Sequence, residues 1–335
     1  MAKINIIGSG GWGTANAILL ASNGHEVLLW SYMKEESENL KKHKENKPFL
    51  PGVKIPEAVD FTSDISRCGK ADLIVIAVPS HAVRATCRSL APYVSDGQLI
   101  LSISKGFDDE TGERLSEVIL SEIPGAVVAA MSGPSHAEEV ALGMPTTNVV
   151  ACRKEGCAEF IQDLYMSPLF RVYITEDIVG LELGGSLKNI IALAAGICDG
   201  LGYGDNTKAA LMTRGLVEIT RLGIKMGANP ETFSGLTGVG DLIVTCTSMH
   251  SRNRRAGILI GKGRSCEEAQ KEVNMTVEGV RACYSAYALS KKYDVEMPIV
   301  EAIYKILKGE LKAQDATESL MGRARKHETE KEWLM

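Results

Sequence analysis

The chain has 335 residues, 45% of them hydrophobic and 24% charged, the balance of a soluble globular protein with room for two domains. A formal net charge of −5 and a pI near 5.8 argue against nucleic acid or an anionic membrane as the main partner, so a small anionic substrate would need a local basic pocket. The eight cysteines form no CxxC pair and sit mostly in apolar runs, which fits a reduced, cytoplasmic setting, and no metal site is expected.

The N-terminus runs directly into a short apolar strand, Lys3 to Ile7, with no leader pattern ahead of it. The glycine loop Gly8-Ser9-Gly10-Gly11-Trp12-Gly13 follows, then a helix from Thr14 to Ser22 ended by Gly24, then a second strand from His25 to Trp30. Leu73 to Val78, closed by Pro79, is a nearly continuous apolar run of the kind buried on both faces of a sheet. Leu99 to Ser104, Ala126 to Met131 and Thr147 to Cys152 read the same way. This repeated strand-then-helix order predicts an α/β chain that opens with a doubly wound, Rossmann-type parallel sheet. From Ile178 onward apolar residues recur at helical spacing over 178–200, 207–227 and 276–292, and no further strand is expected. The predicted organisation is a dinucleotide-binding domain over 1–180 and an all-α substrate and catalytic domain over 181–335. The longest apolar stretch, Ile190 to Cys198, reads as too short to span a bilayer, so no membrane insertion is expected. The charged stretch from Arg323 to Lys331 reads as a solvated tail.

A GxGxxG string is weak on its own, but here it follows a strand and opens a helix, the context that a dinucleotide site requires. Gly8 permits the tight turn, Gly10 lets the backbone approach a pyrophosphate, and Gly13 lets helix and strand pack closely. The helix N-terminus then offers N–H groups and a positive dipole end to the phosphates. The second strand ends Trp30-Ser31-Tyr32-Met33-Lys34, without the acid that holds the ribose 2′-hydroxyl in an NAD site. A 2′-phosphate is then not repelled, and Ser31, Tyr32 or Lys34 could contact it. The expected cofactor is NADP or NAD, with NADPH favoured.

In a doubly wound sheet the ligand lies outside the carboxyl ends of the strands, where three loops here carry polar residues. In Val78-Pro79-Ser80-His81 the histidine reads as a helix cap rather than a catalytic group. In Ser104-Lys105-Gly106 the lysine either points its ammonium into the crevice or is a solvated surface residue. In Ser132-Gly133-Pro134-Ser135-His136-Ala137-Glu138, Ser135 and Glu138 read as a capping box. In the second half, Lys188 lies on a helical face with Gly184, Gly185, Ala192 and Ala195, small enough for a close approach. A lysine held among apolar neighbours exchanges a proton near neutral pH, as carbonyl reduction needs. The helix pattern alone weighs that evenly against a lysine snorkelling to the surface. Gly235 to Leu242 is a glycine-rich turn carrying one acid, Asp241. Ser251-Arg252-Asn253-Arg254-Arg255 sets three arginines beside a capping serine, a combination suited to phosphate, with one or two of the arginines read as exposed.

The ordered set GSGGWGTA at 8–15, AVPS at 77–80, SKG at 104–106, SGPSHAEEV at 132–140, GGSLKNIIALAAGICDGL at 184–201, TGVGDLIVTC at 237–246, HSRNRRAG at 250–257 and VEG at 277–279 resembles the NAD(P)-dependent sn-glycerol-3-phosphate dehydrogenases. The resemblance runs along nearly the whole chain. It implies reversible reduction of dihydroxyacetone phosphate to sn-glycerol 3-phosphate, supplying glycerophospholipid synthesis, and a homodimer. It also implies Lys188 as general acid/base, with Asp241 setting its charge and orientation. Lys105, Gly133, Ser135, Asp241, Ser251, Arg252 and Asn253 would surround the substrate, Arg252 and Asn253 nearest its phosphate. Cofactor contacts would fall on Gly11, Trp12, Tyr32, Lys105, Ala137, Arg252, Thr276 and Glu278, and Asn189 and Thr245 match family positions near the site. Three places depart from the family pattern. Glycine stands at position 11 where serine is usual, the second strand lacks the arginine often found at its end, and Gly185-Ser186 replaces alanine-like residues. The rival readings are a β-hydroxyacid or 6-phosphogluconate type dehydrogenase and a non-catalytic dinucleotide sensor.

Overall fold

The computed structural model describes residues 1–325, 327 and 328; of the stretch read as a solvated tail, Lys326 and the residues from 329 on fall outside these. The described chain divides into two compact units, Met1–Gly185 and the residues from Ser186 onward, the division falling within one continuous helix.

The first unit is built on eight strands: β1 Lys3–Ile7, β2 Glu26–Trp30, β3 Val59–Thr62, β4 Leu73–Ile76, β5 Leu99–Ser102, β6 Val127–Ser132, β7 Thr146–Cys152 and β8 Phe170–Thr175. They form one sheet in the order β3-β2-β1-β4-β5-β6-β7-β8. Its helices are α1 Gly11–Ser22, α2 Lys34–His43, α3 Val83–Leu90, α4 Leu115–Glu122, α5 Ala137–Ala141 and α6 Cys157–Tyr165. The near-continuous apolar runs are explained by burial of both sheet faces. Ile4, Ile6, Leu73, Val75 and Leu101 face one core, and Ile7, Ile74, Ile76 and Ile100 face the other. Each such side chain removed from water contributes about 1.5–3 kcal/mol. The register pairs Ile7 with Trp30 on one side and Ile76 on the other, so these three strands end level at the edge where the glycine loop begins.

The sheet is parallel except at one join. β6 and β7 run antiparallel, with Ser132 opposite Val149, which corrects the expectation of a wholly parallel sheet. The connection holds only the five-residue α5. At about 1.5 Å per residue that helix cannot carry the chain back along a strand of roughly 20 Å, so β7 starts from the edge where β6 stopped. Sequence reading also passed over β3 and β8, the two edge strands. In β8 only Phe170 and Val172 are buried, a short period-two signal.

Among the described residues only helices follow β8: α7 Ile178–Gly200, α8 Asp205–Lys225, α9 Pro230–Phe233, α10 Asp241–Thr247, α11 Arg252–Gly261, α12 Cys266–Val273, α13 Glu278–Lys292, α14 Pro298–Leu307 and α15 Ala313–Met321. The α/β class with an all-helical second half is as predicted. One expectation is corrected. α7 has 23 residues and is long and apolar enough to cross a membrane by composition, but that window is wholly buried within the protein, so it is a core helix. In the second unit α7 and α11 cross at glycines: a Cβ at Gly196 or Gly200 would overlap carbonyl oxygens of α11, and one at Gly257 or Gly261 would overlap those of α7.

Glu218 on α8 is buried and acts as a cap from a distance. Its two carboxyl oxygens accept the N–H groups of Ile299 and Val300 at 2.8 and 3.2 Å, in the first turn of α14, where no local side chain does so. Burial pushes its pKa up to about 7, against the pull of those two N–H bonds and of Arg221 and Arg323. The folded protein therefore keeps a proton that the unfolded chain gives up between about pH 4.5 and 7, and stability falls as pH rises through that window. Glu218→Gln loses one acceptor, so it is less stable than wild type at pH 5. Its deficit at pH 8 is expected to be smaller by about 2–3 kcal/mol, because the glutamine does not ionise. Denaturant unfolding at the two pH values checks this, and an equal deficit at both would rule it out.

Candidate active site

The loop between β1 and α1 uses its glycines for different reasons. Gly8 has φ +119°, and a Cβ there would lie 2.9 Å from the Ala77 backbone. Its N–H donates to the Trp30 carbonyl oxygen at 3.0 Å, drawing the loop onto the end of β2. A Cβ at Gly13 would overlap the Gly8 carbonyl oxygen, so this glycine is required by packing within the turn. At Gly10 a Cβ would meet nothing within 4 Å, and Gly10 caps α1 without a side-chain hydrogen bond. An open backbone at an uncapped helix N-terminus fits a pyrophosphate. Gly11 stands beside Ala137, the first residue of α5, at an ordinary 3.6 Å from a would-be Cβ, which brings two predicted cofactor positions together. Trp12 is half-buried at the start of α1.

Asn46 is a residue of this loop that the sequence did not signal. Buried between α2 and β3, it donates at 2.7 Å both to the Ser9 carbonyl oxygen and to the Thr14 hydroxyl. At the end of β2, Tyr32 is 80% exposed and stands edge-on to Trp30 with ring centres 6.2 Å apart. Ser31, read as able to reach a 2′-phosphate, is fully buried with its hydroxyl sealed inside, which corrects that expectation.

At the carboxyl edge of β5 and β6, three predicted residues converge. The Lys105 ammonium and the Ser135 hydroxyl both donate to the Gly133 carbonyl oxygen, at 3.3 and 3.1 Å. Lys105 is thus a partly buried residue of this edge and not a free surface lysine. A Cβ at Gly133 would overlap the Asn148 side chain. The capping box is corrected: α5 begins at Ala137 with His136 as its cap, and the Ser135 hydroxyl turns back to Gly133 instead. His81 is exposed within a tight turn over Ser80–Ala82 whose cap is Pro79, so it is not a helix cap either.

In the second unit the outcome for Lys188 is decisive. Its ammonium forms an ion pair with Asp241 and donates to the Thr245 hydroxyl at 2.7 Å, with side-chain exposures of 7% for Lys188 and 1% for Asp241. The lysine therefore does not snorkel, and it has the countercharge that a buried ammonium needs. Asp241 is delivered by the glycine-rich turn. Leu236–Gly240 forms one wide turn closed by Gly240 N–H to the Gly235 carbonyl oxygen at 3.2 Å, with Gly238 packed on the backbone of Phe233, and α10 starts at the acid. The Thr245 hydroxyl donates to the Asp241 carbonyl oxygen at 2.6 Å, so it meets Lys188 as an acceptor.

Ser251 caps α11 as expected, accepting the Arg254 N–H at 3.2 Å, and Arg252 is the first residue of that helix, half-buried. Asn253 is buried: its amide donates to the Asn189 side chain at 2.9 Å and accepts the Gly279 N–H at 2.8 Å, tying the starts of α11 and α13 to α7. This sets Arg252 near Glu278, the first residue of α13, while Thr276 lies half-buried in the turn before it. Arg254 is a structural brace, pairing with Asp199 at 2.7 Å, which also holds Lys208 at 2.6 Å.

Two family models match this chain: the N-terminus of NAD-dependent glycerol-3-phosphate dehydrogenase over residues 3–158, and its C-terminus over 177–318. A glycerol-3-phosphate dehydrogenase [NAD(P)+] of Agathobacter rectalis is 54% identical over 329 residues, 98% of each chain. That of Bacillus subtilis is 51% identical over 334 residues, 98% of this chain and 97% of its own. The crystal structure of glycerol-3-phosphate dehydrogenase from Coxiella burnetii is 37% identical with a TM-score of 0.93, covering 96% of this chain and 99% of that one.

Proposed function

The chain belongs to the NAD-dependent glycerol-3-phosphate dehydrogenase family, and we propose that it reversibly reduces dihydroxyacetone phosphate to sn-glycerol 3-phosphate with NADH or NADPH. The reading extends to a cytoplasmic homodimer that supplies glycerophospholipid synthesis. It assigns the dinucleotide to residues 1–180 and the proton chemistry and substrate phosphate to 181–335. The observation that supports it most is the buried Lys188–Asp241 pair with Thr245 behind it.

When bound at the glycine loop, the dinucleotide supplies the hydride that the ketone carbon accepts. Lys188 holds a proton at Nζ and gives it to the ketone oxygen as negative charge develops there, or takes it from the hydroxyl in the reverse direction. Asp241 and Thr245 fix where that ammonium points, because both partners are themselves held on one turn of α10. Arg252, on the first turn of α11 beside the Ser251 cap, takes the substrate phosphate, where the helix N-terminus adds a favourable dipole. Lys105, Gly133 and Ser135 complete the polar contacts to substrate and cofactor.

The test is oxidation of NADH and NADPH by the purified protein with dihydroxyacetone phosphate, run beside β-hydroxyacids and 6-phosphogluconate. Turnover with the first substrate alone is expected. Arg252→Ala is expected to raise KM for it about ten- to hundredfold, since a hydrogen bond to a charged group contributes about 1.5–3 kcal/mol. An unchanged KM and kcat would remove Arg252 from this role, and sedimentation of the pure protein checks the dimer.

A further inference from the structure

The end of β2 lacks an acid, but the first turn of α2 does not. Gly8 N–H is bonded to the Trp30 carbonyl oxygen, so the glycine loop and the β2–α2 corner are neighbours. From that corner Glu36 turns inward. Lys34 and Glu35 on either side of the helix start are exposed, whereas Glu36 is half-buried and its carboxylate accepts a hydrogen bond from the Ser9 hydroxyl. Ser9 is itself buried and immobilised, its carbonyl oxygen taken by Asn46 at 2.7 Å and by the Thr14 hydroxyl at 3.2 Å. A carboxylate is thus tethered to the glycine loop at the corner where this fold places the adenosine ribose. Little positive charge offsets it. Lys34 is directed along the outside of α2 to Glu38 at 3.8 Å, and Ser31 is sealed in the core.

We propose that Glu36 sets the cofactor preference: held by Ser9, its carboxylate accepts the ribose 2′-hydroxyl of an unphosphorylated dinucleotide and repels a 2′-phosphate, so this chain favours NADH over NADPH. The inference rests on the dinucleotide site of the proposed function and reverses the preference expected from the bare end of β2. The acid was hidden from sequence reading because it reaches the loop from a helix turn and not from the strand end. Burial raises the Glu36 pKa and the Ser9 bond draws it back, which is the balance of a carboxylate that is partly desolvated but solvated by the loop.

Fluorescence titration of NADH and NADPH, without substrate, reads the proposal independently of turnover. Wild type is expected to bind NADH more tightly than NADPH. Glu36→Gln keeps the size and an oxygen for Ser9 but removes the charge, and is expected to shift the ratio of the two Kd values toward NADPH by about tenfold or more. Ser9→Ala, which releases the carboxylate, shifts it the same way by less. A wild-type protein that prefers NADPH, or a Glu36→Gln ratio within about twofold of wild type, overturns the assignment. Absence of turnover with dihydroxyacetone phosphate, with the binding shift intact, would instead count against the reaction and leave Glu36 in its role.

Discussion

Replacing Lys188 with alanine is expected to lower kcat by about 10²–10⁴-fold while dinucleotide binding survives, the range that a positioned proton donor contributes. The argument is geometric. Two groups with no other charged neighbour in view, Asp241 and Thr245, hold one ammonium in a buried setting, and the polarity of the Thr245 hydroxyl is already committed by its bond to the Asp241 carbonyl oxygen. Removing the lysine also leaves the Asp241 carboxylate buried without its partner, which costs about 3–5 kcal/mol. A lost activity alone would therefore be ambiguous. Thr245→Val separates the two effects, because it leaves the ion pair in place and removes only the acceptor that orients it. It is expected to lower kcat with little change in the KM for dihydroxyacetone phosphate and a small change in melting temperature. Titration of Lys188→Ala with NADH reports whether the glycine loop is intact. Near-normal kcat in Lys188→Ala would eliminate the lysine as the acid.

How far the site was legible follows from how local each signal is. The glycine loop could be read outright, since turn, phosphate approach and helix packing all fall within six consecutive residues. Lys188 could be singled out but not decided, because the group that settles its environment, Asp241, lies 53 positions away and only the fold joins them. Asn46 and Glu36 gave no signal at all: each acts on Ser9 from another element, through a contact that no spacing rule encodes. The Ser135–Glu138 pattern gave a false signal. A serine that finds a carbonyl two residues back is no longer available to cap the helix ahead. The same distinction holds for the fold. The two-faced central strands announce themselves by composition, whereas the edge strands and the reversal at β7 depend on which neighbour is already present.

Substitutions across the glycine loop are expected to separate folding from binding, with Gly13→Ala the most damaging. Its methyl group would overlap the Gly8 carbonyl oxygen and crowd the Ala77 side chain at 3.2 Å, and neither the loop backbone nor a β-carbon has a flexible end to move away. Overpacking of this kind costs about 1–3 kcal/mol or more, and relief requires shifting the turn that presents the N–H groups. Gly13→Ala should therefore lower the melting temperature and abolish measurable dinucleotide binding. Gly10→Ala should do only the second. Its backbone, at φ −64° and ψ 178°, suits any residue, and its methyl group meets no protein atom within 4 Å, so the melting temperature holds. The space it enters is the one a pyrophosphate needs, and Kd is expected to rise about tenfold or more. Gly11→Ser restores the residue usual in the family. Its Cβ would sit in ordinary contact with Ala137 and Phe49 at 3.6 Å, so neither stability nor affinity should fall. Native affinity in Gly13→Ala, or a lowered melting temperature with unchanged affinity in Gly10→Ala, would mean that the two glycines have been assigned each other's roles.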